Sequence, residues 1–345
     1  MTVMSTMPDD NRADALRRSL IYTVIGVSLI LALLAPAFVS SYRIFQITTI
    51  IVDAIALLGL NILTGYNGQI SIGHSAFYAI GAYTVAILTV KFGVPYWIAI
   101  PVAGLTSYVF GFLFGLPALR LGGAYLALAT FALAVATPQL LKYKLVDTWT
   151  GGTLGMSVKK PDVPAWLPIN QDQFLYYLCL LIAVGMFIVG RNLVMGRVGD
   201  AMMAVRDQPI ASAAMGIDNS LLKTKTFGVS AMYTGVAGAL GAIVAQYVAP
   251  DSFTFMLSIS FMVGIVIGGA GTVSGAIYGA IFIGLVPDLA SQISKAVPWA
   301  LYGCCLIACV FLMPTGIHGV ISLLARKILP GPPVMFARTF VSIDD

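Results

Sequence analysis

Apolar residues along the chain fall into ten long runs that are separated by short polar stretches. The runs cover residues 20–39, 44–63, 70–90, 95–116, 122–141, 173–190, 226–248, 255–271, 275–293 and 298–321. A helix needs about 20 apolar residues to cross the hydrocarbon core of a bilayer. Within that core a helix satisfies its own backbone, and these runs lack the alternation of barrel strands. The pattern therefore predicts an all-α polytopic membrane protein with about ten transmembrane helices.

The composition agrees with a chain that is largely surrounded by lipid. Of the 345 residues, 59% are hydrophobic and 10% are charged, whereas a soluble domain carries about 25% charged residues. The lysines and arginines behind the net charge of +5 are expected at the membrane edges. The chain is therefore predicted to contact membrane lipid and not nucleic acid. The composition excludes a soluble enzyme, a disordered protein and a nucleic-acid-binding protein.

The sequence offers no pattern of side chains that is typical of catalysis or metal binding. The four cysteines lie in apolar runs without a C-x-x-C pair and are expected to pack as small apolar side chains. Paired carboxylates, a histidine cluster and an activated nucleophile are also missing from the sequence. We therefore predict no catalytic residue, no metal site and no enzyme activity for this chain.

Lysines and arginines distribute unevenly between the two sides of the predicted spans. With a cytoplasmic N-terminus, the cytoplasmic side collects 12 of them and the opposite side collects 7, as the positive-inside rule favours. Both termini are therefore predicted to be cytoplasmic. The predicted parts are a cytoplasmic segment 1–19, a transmembrane domain 20–321 with an extracytoplasmic loop 142–172 and a cytoplasmic region 191–225, and a cytoplasmic tail 322–345.

An uncharged polar stretch with four glycines, residues 59–75, joins two of the apolar runs. A broken helix or loop is expected near 64–74, because such a stretch is tolerated at membrane depth only where it lines a cavity or is buried by protein. An ordinary surface turn is the alternative that the sequence leaves open. If the break lies at membrane depth, the residues near the translocation pathway are Asn61, Tyr66, Asn67, Gln69, Ser71 and His74.

The segment 191–225 is too long for a plain connector, which needs only a handful of residues. It is rich in Ala and Met, which favours short helices. Pro209 cannot donate an amide within a helix interior, so we predict a bent element with Ala201–Arg206 before the bend and Ile210–Met215 after it. Gly216 should end the second part in the left-handed conformation.

Glycines recur at spacings that place them on one face of a helix. Small residues at such spacings let helix backbones approach closely in lipid. Static packing and a moving interface along a pathway are both compatible with these stripes, and packing is favoured. A nucleotide-binding loop is not predicted at 268–275, because both glycine-loop templates fail there. The packing glycines are Gly235, Gly238, Gly241, Gly271, Gly275 and Gly279.

Several of these motifs, in this order, resemble the permease subunits of bacterial branched-chain amino-acid ABC importers. The matching stretches are GLNILTGYNGQISIGHSAFYAIGAY (59–83), GLPALRLGGAYLALATFA (115–132), GRVGDAMMAVRDQPIASAAMGID (196–218), VAGALGA (236–242) and GGAGTVSGAIYGA (268–280). The resemblance covers roughly residues 45–320. Of the two permeases in such importers, the chain is similar to the longer one, the M type. It implies a multi-pass protein of the bacterial inner membrane that imports branched-chain or related amino acids.

The resemblance also implies partners. These are a second homologous permease subunit, two cytoplasmic ATP-binding subunits and an extracytoplasmic solute-binding protein. No cofactor is expected on this chain, and ATP and Mg would be used by the partner ATPases. The segment 191–225 would then be the ATPase-coupling region, docking as a helix in a groove. Its coupling residues would be Arg197, Arg206 and Asp207 at the rim, with Ala211, Ala214, Met215 and Gly216. Asp207 stands where the family commonly has Glu.

Three other functions remain as alternatives at this stage. A permease of the same family could import urea or amides, because the separate binding protein supplies much of the selectivity. An ion-coupled secondary transporter is the rival from a different class, since Asp53 lies near the middle of the second apolar run and intramembrane carboxylates mark functional sites. No second acid or histidine shares that run, which weakens a proton relay. A channel or facilitator is the third alternative.

Overall fold

The protein is a bundle of helices that run back and forth between two ends. The structure, a computed structural model, describes residues 26, 32–36, 39–118, 123–163, 169–293, 303, 307, 311 and 315–328. The long helices are α1 Ser41–Asn61, α2 His74–Lys91, α3 Tyr96–Ala118, α4 Gly123–Leu141, α6 Gln171–Met195, α9 Asn219–Ala245, α10 Phe255–Gly268, α11 Val273–Ile293 and α12 Gly316–Ile328. The remaining helices are short: α5 Lys144–Thr150, α7 Arg197–Asp207 and α8 Pro209–Ala214.

Each end of the bundle carries a distinctive element. At one end, the strands β1 Met156–Ser157 and β2 Tyr247–Val248 pair in antiparallel register, and we call this the sheet end. The opposite end carries α7 and α8, and we call it the short-helix end. The predicted loop 142–172 lies at the sheet end, where the structure folds part of it into α5, a 3₁₀ turn at Gly152–Leu154 and β1.

Helix α9 forms the centre of the bundle and packs against α1, α2 and α3. Its glycines set the distance to these neighbours. A Cβ added at Gly238 would overlap the carbonyl of Tyr78 on α2, and one at Gly235 would overlap the Ser107 side chain on α3. A Cβ at Gly241 would take the place of the Tyr78 hydroxyl. All three glycines therefore lie where a helix neighbour approaches closely.

The second group of glycines divides between a helix and a turn. Cβ atoms at Gly275 and Gly279 on α11 would overlap the backbone of Gly269 and Gly264. Gly271 was predicted to belong to the same helical stripe, and this is wrong. It lies in the turn between α10 and α11 with a φ of 75°, a left-handed conformation that glycine adopts without steric cost.

The prediction of an all-α polytopic membrane protein is confirmed. Within the part of the chain that the structure describes, six helices are long and apolar enough to cross a membrane, and a shorter apolar helix covers Val273–Leu289. Two predicted spans need correction. The run 70–90 becomes helical only at His74, and the run 298–321 is interrupted at Thr315, after which Gly316 begins α12 with a φ of 73°. Most of the predicted span 20–39 lies outside the described residues.

Candidate functional site

The polar stretch after α1 forms a break that runs from the short-helix end into the bundle. Helix α1 continues through a π-helical turn, Ile62–Tyr66, and residues 67–73 then form a non-helical stretch until α2 begins. Burial alternates along this non-helical stretch: Asn67, Gln69 and Ser71 are buried, while Gly68 and Ile70 are exposed. We call residues 62–73 the break segment.

The break segment ascends alongside α9. Gln69 Nε2 donates to the carbonyl of Lys223 at 3.1 Å, and His74 contacts Ser230 two helical turns further along α9. Two turns correspond to about 11 Å along a helix axis. Helix α2 therefore begins inside the bundle. The distance between the short-helix end and the start of α2 is spanned by the break segment, whose backbone is polar and non-helical.

Asn61 fastens the end of α1 to the turn that joins α10 and α11. Its Nδ2 donates to the carbonyl of Thr272 at 2.6 Å, and its Oδ1 accepts from the amide of Gly271 at 2.8 Å. The side chain is fully buried, so both halves of the carboxamide are satisfied by backbone groups, as burial of a polar group requires. Asn61 therefore supports the break rather than facing an open space.

His74 sits in a chain of hydrogen bonds that joins α1, α2 and α9. Ser230 Oγ donates to the carbonyl of Gly59 at 2.6 Å, so the same oxygen accepts from His74 Nε2 at 2.7 Å. Nδ1 then accepts from Ser71 Oγ at 3.0 Å. This pattern assigns a neutral imidazole with its proton on Nε2. Both ring nitrogens are occupied in this conformation.

Tyr66 and Asn67 lie at the junction of the π-helical turn and the non-helical stretch. Tyr66 is buried, and its hydroxyl lies near the backbone of Val273. Asn67 is 1% exposed, and neither atom of its carboxamide has a hydrogen-bond partner among the described residues. A buried amide without a partner costs about 1–3 kcal/mol. This conformation of the break segment therefore leaves one polar group unsatisfied.

The structure brings all six predicted pathway residues into one buried region. Each of them is buried at the inner face of the break or at its two helix junctions, which is not the environment of an ordinary surface turn. Sequence reasoning missed the partners that hold this region together, namely Ser230, Thr272, Thr130 and Lys223. They lie far along the chain from residues 61–74 and carry no local signal of that contact.

The bent element at the short-helix end has the shape that the sequence predicts. Helix α7 ends at Asp207, Pro209 is the first residue of α8, and Gly216 follows α8 with a φ of 85°. Two side chains tie α8 to the start of α9: Ser212 Oγ donates to Asn219 Oδ1 at 2.9 Å, and Asn219 Nδ2 donates to the carbonyl of Pro209 at 2.7 Å. These bonds hold the bend rigidly on the central helix.

The Arg206 side chain points inward and is largely buried, whereas the sequence placed it at an outer rim. Its Nη1 donates to the carbonyl of Gly65 in the break segment at 2.7 Å, while its Nε and Nη2 bind both carboxylate oxygens of Asp207 at 2.7 and 3.2 Å. The stem of the side chain packs over Gly68, where an added Cβ would lie 2.5 Å from its Cγ. Arg206 turns inward because the break offers it a free carbonyl at the end of a helix. It joins the bent element directly to the break segment.

An open groove lies on the outer side of the bent element. It measures about 490 Å³, and three alanines are among the residues that line it. Arg197 and Asp207 border it, and Met215, 84% exposed, projects beside it. Ala211 lines the groove as predicted, whereas Ala214 and Gly216 are exposed outside it. The complete lining is Arg197, Asp200, Ala201, Ala204, Asp207, Gln208, Ala211, Ser212, Met215 and Ile217.

The chain is thus a multi-pass helical protein with a buried polar break that is fastened to a bent element at one end. The family of branched-chain amino acid transport system permease components matches residues 42–313. This chain belongs to that family.

Curated relatives place the chain more closely within the family. It is 33% identical over 281 residues to the high-affinity branched-chain amino acid transport system permease protein LivM of Salmonella typhimurium and 34% identical to that of Escherichia coli. Each match covers 74% of this chain and 65% of the relative, so the chain spans about two thirds of the length of these proteins. A probable branched-chain amino acid transport permease protein LivM of Methanocaldococcus jannaschii is 24% identical over 206 residues. No solved structure matches the chain significantly.

Proposed function

We propose that this chain is a membrane-spanning subunit of an ATP-driven importer and forms part of the translocation pathway for branched-chain or related amino acids. Its partners are a second homologous permease, two cytoplasmic ATP-binding subunits and an extracytoplasmic solute-binding protein. The ATP-binding subunits use ATP and Mg, and this chain binds neither. The names of its relatives, which are branched-chain amino acid permeases, support the substrate class.

The contact between Arg206 and Gly65 is the observation that supports the proposal most strongly. A permease that does not bind nucleotide must receive the movement of its ATPases through a rigid element and pass it to the pathway. The bent element offers an exposed groove on its outer side and a charge-assisted hydrogen bond to the break segment on its inner side. Such bonds are roughly twice as strong as neutral ones. A displacement of α7 would therefore pull on the break segment directly.

The orientation follows from the same assignment. The short-helix end, with Arg197 and Arg206, faces the cytoplasm and the ATPases, and the sheet end faces the solute-binding protein. Both termini are cytoplasmic, and the membrane is the bacterial inner membrane. The pathway residues Tyr66, Asn67, Gln69 and Ser71 then lie on the cytoplasmic half of the route, with Asn61 and His74 holding the break in place.

Purification of the tagged chain from native membranes in a mild detergent tests this proposal. We expect a stable complex that contains a homologous permease and two copies of ATP-binding subunits, and that hydrolyses ATP in a vanadate-sensitive manner. The loaded solute-binding protein should stimulate this hydrolysis. A chain that purifies alone and still transports solute when it is reconstituted without ATP would contradict the proposal and favour a secondary transporter or a facilitator.

A further inference from the structure

The π-helical turn Ile62–Tyr66 is the irregular end of α1, and a residue from another helix occupies one of its carbonyl groups. A π turn forms its hydrogen bonds one residue further along the chain than an α turn, and it is frequent at functional sites. In an α-helix, the amide of Gln69 would donate to the carbonyl of Gly65. Here that amide donates to the carbonyl of Leu63 at 3.1 Å, and the Gly65 carbonyl accepts from Arg206 Nη1 at 2.7 Å. Arg206 therefore occupies the acceptor that an α-helical winding of the same residues requires.

Gly68 allows the backbone of the break segment to change its direction. Its φ of 71° lies in the left-handed region, which glycine adopts about as readily as the right-handed helical region. A residue with a Cβ favours the right-handed region, and a Cβ at this position would also meet the stem of Arg206. Because residue 68 has no side chain, both backbone conformations are accessible to it.

Asn67 is the polar side chain that this conformation leaves unsatisfied. It is 1% exposed, and neither atom of its carboxamide has a hydrogen-bond partner within the described ranges. The other two buried carboxamides of this region are bonded: Asn61 to the turn between α10 and α11, and Gln69 to the carbonyl of Lys223. Buried polar groups in native proteins nearly always have a partner. The exception therefore indicates a state of the protein in which the Asn67 carboxamide is bonded or solvated.

We propose that the break segment alternates between this conformation and a second one, in which the π-helical turn is wound as α-helix, Gln69 donates to Gly65 and Arg206 is released. This winding moves each following residue by one helical position, which corresponds to about 100° around the helix axis and about 1.5 Å along it. Asn67 thereby leaves its buried position. Since Arg206 holds the break segment in the first conformation alone, a movement of α7 selects between the two. The inference rests on the proposed function, in which the ATPases move α7.

A cysteine at position 67 reports which conformation is present. Asn67→Cys is introduced into a chain whose four natural cysteines are replaced by alanine, and its modification by a maleimide is followed by mass spectrometry on the complete importer in nanodiscs. We expect the labelling rates of the nucleotide-free complex and of the complex trapped with ATP and vanadate to differ about tenfold or more. Ala56→Cys is the control, because Ala56 is fully buried on α1 before the π-helical turn and should label slowly in both states.

Asn67→Leu should stabilise the importer and slow its uptake at the same time. Leucine has the same side-chain branching as asparagine but no polar atom, so it removes the unsatisfied group from the first conformation. We expect the Tm of the complex to rise by about 2–4 °C and ATP-driven uptake to fall about fivefold or more, because the second conformation becomes less accessible. Gln69→Leu is the matched control: it removes a carboxamide that is bonded at 3.1 Å, so it should lower the Tm.

A lower Tm for Asn67→Leu would overturn the proposal, because the carboxamide would then be satisfied in the first conformation. A higher Tm with unchanged uptake, or equal labelling rates of Asn67→Cys in the two states, would overturn it as well. The labelling experiment decides the matter if Asn67→Leu does not assemble. Normal ATP-driven uptake together with equal labelling rates counts against the second conformation alone. Uptake that does not require ATP counts against the proposed function alone, since the shift in Tm is measured without nucleotide.

Discussion

Replacing Arg206 by Gln should stop solute uptake while the ATPases of the complex continue to hydrolyse ATP. The Arg206 guanidinium forms hydrogen bonds to Gly65 and Asp207 at the same time. A glutamine side chain carries no charge, so it cannot replace either charge-assisted bond. A hydrogen bond that involves a charged group contributes about 1.5–3 kcal/mol, so its loss should lower the coupling between ATP turnover and uptake tenfold or more. The measurement is the number of solute molecules imported per ATP hydrolysed in proteoliposomes.

Two further substitutions make this result specific to the contact with the break. Arg206→Lys keeps the charge but lacks the planar fork, so it should also uncouple, although less severely. Lys225→Gln is the control, because Lys225 is an exposed cation on α9 that does not line the outer groove. If Arg206→Gln imports as many solute molecules per ATP as the wild type, the bent element does not act through Gly65.

A tryptophan at Ala211 should prevent the ATPases from binding to the permease. Ala211 lines the outer groove of the bent element, and an indole ring there would fill the space in which a partner side chain is expected to sit. Disrupting the contacts of such a side chain at the centre of an interface weakens the binding free energy by about 2 kcal/mol or more. We expect the variant chain to be inserted normally and to purify without ATP-binding subunits. Co-purification followed by measurement of ATPase activity checks this.

Ala213→Trp provides the control for that experiment. Ala213 lies on the same short helix and is also exposed, but it does not line the groove. Its substitution should leave the complex intact. Normal ATPase binding by Ala211→Trp, or loss of binding by both variants, would show that the ATPases dock on another surface.

The fold class and the bent element were predictable because their signals are local. Length and hydropathy of a run suffice for a membrane span, and Pro209 and Gly216 each act through their own backbone conformation. The helix boundaries at His74 and Thr315 were harder to predict from the sequence. The apolar residues Ile70 and Ile72 continue the hydrophobic pattern through a stretch that is not helical, so hydropathy alone placed the start of the span too early.

The direction in which side chains point could not be predicted from the sequence. Arg206 was expected at an outer rim because the segment 191–225 resembles the ATPase-coupling region of the permease family. Its actual partner, the carbonyl of Gly65, lies 141 residues away in the chain and becomes available only when the π-helical turn forms. The same holds for Asn61, whose two partners lie more than 200 residues away. Contacts of this kind depend on the tertiary fold and leave no periodic trace in the sequence.

ATP-driven uptake of radiolabelled leucine into proteoliposomes is the most direct test of the central claim. The purified chain is reconstituted with its permease partner, its ATP-binding subunits and its solute-binding protein, and ATP is enclosed on the side of the short-helix end. The account predicts accumulation of leucine against its gradient that stops when ATP, the binding protein or this chain is omitted. Accumulation that continues without ATP and follows an imposed proton or sodium gradient would contradict it.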